Sequence, residues 1–268
     1  MRVAVVQHGP RPTWQQTAAY QSERIVDAAA RGARVVVLPE GSLTGLASRR
    51  DEAIASSQPL DGPYVTGLLE LSAAHQLCIV AHLYEAAADG ARRTAYNTTV
   101  VVDQGRLCGE YRKIHLFDAQ GHCESATVDE GDAAQAVATP FDVGGISLAV
   151  VTCFDLRFPE LAVARAIAGA TLICVPAAWV TGAHKADQWE VLVRARAIET
   201  GCVVAAAAQP GPSYCGGSMV VAPDGVVVAG PLAHGAEGIA VAEVDLASVA
   251  GARAATPTLR HRPVWGAK

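Results

Sequence analysis

The chain has 268 residues, 51% of them hydrophobic but only 5% aromatic, and its 21 basic against 26 acidic residues leave a net charge of −5 at pH 7. A mildly acidic chain offers no basic face for nucleic acid, and no apolar run approaches the roughly 18 residues that a membrane-crossing helix requires. The length suits one large layered domain, residues 1–268, with an aliphatic core of Ala, Val, Leu and Ile. Along the chain, RVAVVQ (2–7) reads as a strand, residues 14–31 as an alanine-rich helix stopped at Gly32, and ARVVVLPE as a second strand. A helix over 64–75 leads into the strand CIVAHLYE (78–85), which completes two βαβ-like steps.

The middle of the chain changes character. YNTTVVVDQGRLCGEY and FDVGGISLAVV each pair two β-rich runs around a glycine-containing turn and read as hairpins. A helix over 159–168 with proline at its start, the strand TLICVP, a helix over 187–200 and the strand VVAAAA restore the alternation. SMVVAPDGVVVAG is a third hairpin, GIAVAEVD a further strand, and 256–268 a proline-containing tail able to pack on a partner. PGPSYCGG has no lysine and no following helix, so it is a loop and not a phosphate cradle. The start, MRVAVVQHGP, carries too short an apolar run for a secretory signal, and the seven cysteines, an odd number, do not suggest a disulfide framework. A cytoplasmic protein is expected.

Three polar residues sit at strand ends, where open α/β sheets build their sites. Glu40 follows VVVLP, Lys113 follows RLCGEY, and Cys153 follows ISLAVVT. Taken singly, Glu40 also reads as a cap of the turn at Gly41, Lys113 as a solvated edge residue, and Cys153 as a small packed hydrophobe. Together they make chemical sense. A thiol attacks carbonyl or nitrile carbon once a base takes its proton, a role for Glu40, while Lys113 would favour the thiolate and then the oxyanion. Phe154 N–H is a natural oxyanion donor, and the helix starting near Pro159 would add a weak positive end beside Cys153.

In LPEGSLTG, YRKIHLF and CFDLRFPE the sequence resembles the nitrilase, or carbon–nitrogen hydrolase, superfamily, whose catalytic Glu, Lys and Cys occur in that chain order. The segments WEVLVRARAIETG and SMVVAPDG extend the likeness over nearly the whole chain. The resemblance implies an α-β-β-α sandwich, two mixed β-sheets flanked by helices, and a homodimer or higher homo-oligomer. It also implies a second glutamate, matched by Glu124 in HLFDAQGHCES, which would hold the lysine and orient the substrate amide. Phe154, Arg157 and Trp179 are candidate substrate-binding residues. The expected reaction is hydrolysis of a small carboxamide through a Cys153 acyl-thioester, with ammonia released, as in omega-amidases and deaminated-glutathione amidases. Nitrile or N-carbamoyl hydrolysis is the alternative, and a binding scaffold without catalysis the one outside enzymes.

His115, His122 and Cys123 raise the question of a metal, but paired ligands at zinc spacing do not occur, so no metal and no other cofactor is expected. Asp155 and Arg157 read as a structural pair orienting the loop, Tyr96 and Asn97 as packing or hydrogen-bonding in a β-rich segment, and Arg194, Arg196 and Glu199 as a charged helix face or subunit contact. Gly217 stands where close relatives tend to carry a bulkier polar residue, which would widen that wall of the site.

Overall fold

The computed structural model describes residues 1–89, 92–137 and 139–261. Two six-stranded mixed sheets lie face to face. The first holds β1 (Arg2–Gln7), β2 (Ala33–Val37), β3 (Cys78–Asp89), β4 (Arg92–Asp103), β5 (Arg106–Arg112) and β12 (Gly238–Glu243), in the order β12-β1-β2-β3-β4-β5. The second holds β6 (Phe141–Asp142), β7 (Ser147–Val150), β8 (Leu172–Ala177), β9 (Val203–Ala208), β10 (Met219–Val221) and β11 (Val227–Ala229), in the order β11-β10-β9-β8-β7-β6. Each sheet has three parallel strands at its centre, β1-β2-β3 and β7-β8-β9, with antiparallel strands outside them.

Strand periodicity explains why the central strands read as unbroken apolar runs. In β1, Val3 and Val5 join the core between the sheets while Ala4 and Val6 face the core under the helices; Val35 and Val37 divide from Val36 in the same way in β2. Both faces are buried, so no polar residue can alternate. The helices α1 (Trp14–Ala30) and α3 (Pro63–His75) cover the first sheet, and α4 (Pro159–Ile167) and α5 (Lys185–Thr200) pack together on the second. A short α2 (Arg50–Ser56) and a terminal α6 (Ala247–Ala255) complete the helices longer than a 3₁₀ turn among the described residues. Thus the α-β-β-α sandwich expected from the resemblance is present.

Differences from the sequence reading are local. The helix α6 falls in a segment given no element, and residues 262–268 of the expected tail lie outside those described. The strand β3 runs four residues past Glu85 through Ala86, Ala87, Ala88 and Asp89, poor β-formers held by pairing with β4 out to Asp89↔Arg92.

Candidate active site

Glu40, Lys113 and Cys153 all follow the carboxyl ends of strands, β2, β5 and β7, and the structure brings them together with Glu124 and Asn97. The β2 ladder runs on by one bond, from Leu38 N–H to the Val80 carbonyl (2.9 Å), before Pro39 turns the chain and delivers Glu40. Lys113 extends the β5 ladder by donating its N–H to the Asn97 carbonyl (2.8 Å). Its Nζ donates to Glu40 Oε1 (3.0 Å) and Glu124 Oε2 (2.7 Å). Asn97 Nδ2, on β4, donates to Oε1 of both carboxylates, each at 2.8 Å. Phe117 N–H adds a bond to Glu124 Oε2 (2.7 Å), and Ala178 N–H, just past β8, one to Glu40 Oε2 (2.9 Å). The Cys153 thiol borders the same cavity as the Glu40 carboxylate, and each shifts the titration of the other.

These charges are deeply buried, with Glu40 1% exposed, Lys113 2% and Cys153 8%. Burial alone would raise the Glu40 pKa; Lys113, His82, Cys153 and the hydrogen bond from Asn97 outweigh it and bring it down to about 2. Burial would lower the Lys113 pKa, yet Glu124 and Glu40 hold it well above its ordinary value. Burial and then Glu40 push the Cys153 thiol well up, against the pull of Lys113. Lys113 thus pulls toward the thiolate, as the sequence reading expects, but burial and the Glu40 carboxylate outweigh that pull and favour the neutral thiol.

Cys153 has φ +46°, a left-handed conformation that a non-glycine residue holds at a cost of about 1–3 kcal/mol. The turn around it over-determines that geometry. Asp155 is fully buried and accepts at Oδ2 from Tyr111 O–H (2.8 Å) and Thr152 N–H (3.1 Å), and at Oδ1 from His115 N–H (3.0 Å) and the His115 ring at Nδ1 (2.7 Å). Arg196, reaching over from α5, donates to the Leu156 carbonyl through Nε (3.0 Å) and Nη2 (2.7 Å). Asp155 thus orients the loop through Tyr111, Thr152 and His115, and the expected Asp155–Arg157 pair is not formed. Arg196 is buried beneath the turn and is no part of a solvated charged face. The helix terminus next to Cys153 belongs to a 3₁₀ turn, Cys153–Arg157, with α4 starting only at Pro159.

The cluster forms the floor of a cavity of about 510 Å³, whose walls include Leu46, Tyr84, Phe117, His122, Val180 and Tyr214. That volume suits a small ligand. Beside it, Cys153 also borders a narrow cleft of about 10 Å³ lined by Phe117, Phe154, Arg157, Trp179 and Lys185, so all three expected substrate-binding residues line a space that Cys153 shares. Arg157 donates to Gln188 Oε1 (2.7 Å) and lies 4.8 Å from the Trp179 ring centre. Lys185 Nζ lies at the same distance from that ring and donates to Gln120 Oε1 (3.3 Å). Burial and Arg157 both lower the Lys185 pKa.

Three participants escaped the sequence reading. In sequence Asn97 reads only as packing or hydrogen-bonding within a strand, and neither Lys185 nor His82, whose Nδ1 accepts from Gly41 N–H (3.0 Å), stands out. Only the β3–β4 register, Tyr84↔Asn97 and His82↔Thr99, puts Asn97 at the cluster, and no local motif carries that information. Gly217 is also corrected. It lies outside the cavity wall, with φ +74°, and a Cβ there would meet Trp189 at 3.3 Å, so glycine answers backbone conformation and packing. Among the described residues no three His, Cys, Asp or Glu side chains are grouped so as to hold a metal ion.

Comparison with known proteins bears on this arrangement. Residues 2–254 match the carbon–nitrogen hydrolase family. The chain is 33% identical over 262 residues to the deaminated glutathione amidase of Escherichia coli O157:H7, covering 98% of this chain and 97% of that protein. It is 38% identical over 282 residues to the deaminated glutathione amidase of Homo sapiens, covering 97% of this chain and 81% of that one. Among solved structures, Saccharomyces cerevisiae Nit3, a member of branch 10 of the nitrilase superfamily, superposes with a TM-score of 0.83 at 28% identity, covering 96% of this chain and 94% of that chain.

Proposed function

Since this chain belongs to the carbon–nitrogen hydrolase family and is a hydrolase of amidase type, we propose that it hydrolyses small carboxamides whose acyl part carries a carboxylate, with Cys153 as nucleophile. The observation that carries this reading is the Cys153 thiol, held at positive φ beside the buried Glu40 carboxylate, with Lys113 bridging Glu40 and Glu124. Glu40 takes the thiol proton as sulfur attacks the amide carbon. Lys113 and Phe154 N–H face the oxygen that becomes negative. Glu40 then returns the proton to the nitrogen, the C–N bond breaks, and ammonia leaves an acyl-thioester. Water, deprotonated by Glu40, cleaves the thioester to the carboxylate and frees the thiol. Glu124 holds Lys113 and orients the amide N–H₂.

The substrate class follows from the cleft. Arg157 and Lys185 are paired with neutral glutamines, and among the described residues no carboxylate makes an ion pair with either. A substrate carboxylate would complete them, in keeping with relatives named for an amidase of deaminated glutathione. An ammonia-release screen across ω-carboxamides with and without a carboxylate, plus nitriles and ureido acids, tests the reading. Carboxylate-bearing amides should turn over best, and faster turnover of nitriles or ureido acids than of every amide would reject it.

We further propose that residues 1–268 act as one domain, working as a homodimer in the cytoplasm. Support comes from apolar side chains left exposed on the helical face, Ile167, Val191 and Ile198, and from seven cysteines that are all free. No described helix is long and apolar enough to cross a membrane. A sedimentation mass near 27.7 kDa at micromolar concentration would overturn the dimer.

A further inference from the structure

Two buried polar atoms beside the cluster have no partner in full hydrogen-bonding geometry among the described residues: Nε2 of His82 and Oδ1 of Asn97. They are neighbours. His82 and Asn97 lie on one face of the β3–β4 ladder as a diagonal pair, and the Asn97 side chain exerts a hydrogen-bonding influence on the His82 ring. The tautomer of His82 is dictated from its other side. Gly41 N–H is a donor, so Nδ1, which it meets at 3.0 Å, must be the unprotonated nitrogen. Burial, the largest influence on the ring, lowers its pKa to about 4, so it is neutral near pH 7 and carries its one proton on Nε2. That proton faces the side of the ring where Asn97 offers an acceptor.

Asn97 needs such a partner. Its amide can be turned either way with almost no change of shape, and only one orientation suits the site. With Nδ2 toward the cluster, two N–H groups meet the Glu40 and Glu124 carboxylates at 2.8 Å each. With Oδ1 there, a partial negative charge would face two carboxylates that already share a single lysine. Two contacts leave one gap in a circuit: Gly41, next to Glu40 in the chain, donates its N–H to His82 Nδ1, and Asn97 N–H₂ donates to Glu40, so that only a link from the His82 ring to Asn97 is wanting.

We propose that His82 is a positioning residue that donates Nε2–H toward Asn97 Oδ1 and so fixes the Asn97 amide with both N–H groups on the Glu40 and Glu124 carboxylates. The role in turnover rests on the reading of those carboxylates given above, whereas the tautomer does not.

Two substitutions separate the contacts of His82. In His82→Gln the side-chain amide places a donor near the position of Nε2; in His82→Asn an acceptor takes the place of Nδ1 and the donor is lost. His82→Asn should lower kcat by about tenfold or more with KM little changed, the usual scale for a lost outer partner of a catalytic group, and His82→Gln should restore most of it. A purely structural histidine predicts the reverse order, and kcat in His82→Asn equal to or above that in His82→Gln would overturn the proposal. Ring ¹⁵N shifts of histidine-labelled wild-type protein at pH 7 give an arm that no folding defect can spoil. His8 is a buried internal control, because its Nδ1 faces the Gly9 carbonyl at 2.9 Å and must carry the proton there. Two neutral buried rings of opposite tautomer support the proposal, and a His82 ring protonated on Nδ1 refutes it. If the wild type hydrolyses no amide, the functional reading fails while the tautomer result still stands.

Discussion

The floor of the cavity and the cleft beside it treat charge in opposite ways. On the floor, Glu40, Lys113 and Glu124 are bonded to one another and to Asn97, Phe117 and Ala178, so each charge is matched inside the protein. In the cleft, Arg157 and Lys185 crowd one tryptophan with only glutamine oxygens as partners. A buried charge costs several kcal/mol unless it is paired; the floor meets that cost with its own ion pairs, whereas in the cleft Arg157 is only partly buried and both cations hydrogen-bond to neutral amides. The difference separates chemistry from selection. On the proposed reading, the floor acts on the amide carbon that reaches Cys153, while the cleft selects an anionic acyl group.

The largest effects should come from breaking the floor. Replacing Lys113 by Met leaves two buried carboxylates facing each other. It should abolish ammonia release and lower stability by about 3–5 kcal/mol, the usual result of removing one partner of a buried pair, as read from urea unfolding. Lys185→Met, in the cleft, should leave stability nearly unchanged. If the two variants unfold alike, the division between the regions is wrong.

Glu124→Gln ranks next. To keep accepting from Lys113 and Phe117 at Oε2, the glutamine must turn its N–H₂ toward Asn97 Nδ2, setting donor against donor. We expect kcat/KM for amides to fall by roughly a hundredfold, the scale of a lost electrostatic or positioning contact. Unchanged hydrolysis would remove Glu124 from the site.

In the cleft, Arg157→Ala should raise KM for carboxylate-bearing amides by about tenfold, in keeping with a hydrogen bond to a charged group, and leave uncharged amides alone. An equal change for both substrate types would show that Arg157 shapes the loop and does not read the acyl group.

The smallest effect is on pH. Glu40 falls from 4.5 to about 2 on folding, so its contribution to stability is complete above pH 4.5 and is lost as pH falls through 2. The proton-accepting carboxylate is likewise present over that whole range, and the thiol stays protonated above its ordinary pKa. The kcat/KM profile should therefore lack an acid limb at the ordinary carboxylate pKa and a limb at the ordinary thiol pKa; either limb would show that the coupling between Glu40 and Cys153 is weaker than described.

The floor was more legible in the sequence than the cleft, for a physical reason. Glu40 and Cys153 each follow a short apolar strand of the parallel core, a signal contained in about eight residues, whereas Lys113 ends the mixed, antiparallel edge strand RLCGEYR and is legible through the motif YRKIHLF. Glu124 came from resemblance alone. Asn97 and His82 were not visible because their roles exist only through a pairing register set over the whole β3–β4 ladder. Lys185, at the first position of α5, resembles any helix-start lysine until Trp179 and Arg157 are seen beside it. The helix α6 has little to mark it in sequence, because it is short, buries only Val249 and carries Gly251, a poor helix former, in its interior.

The most direct test of the central claim is acid-quenched mass spectrometry of the protein during turnover of a carboxylate-bearing amide, with ammonia followed in the same samples. The account predicts a transient mass increase equal to the acyl group, located on the peptide containing Cys153, and no ammonia from Cys153→Ala. Amide hydrolysis that persists in Cys153→Ala, with no acyl group on Cys153 in the wild type at any time, would contradict it.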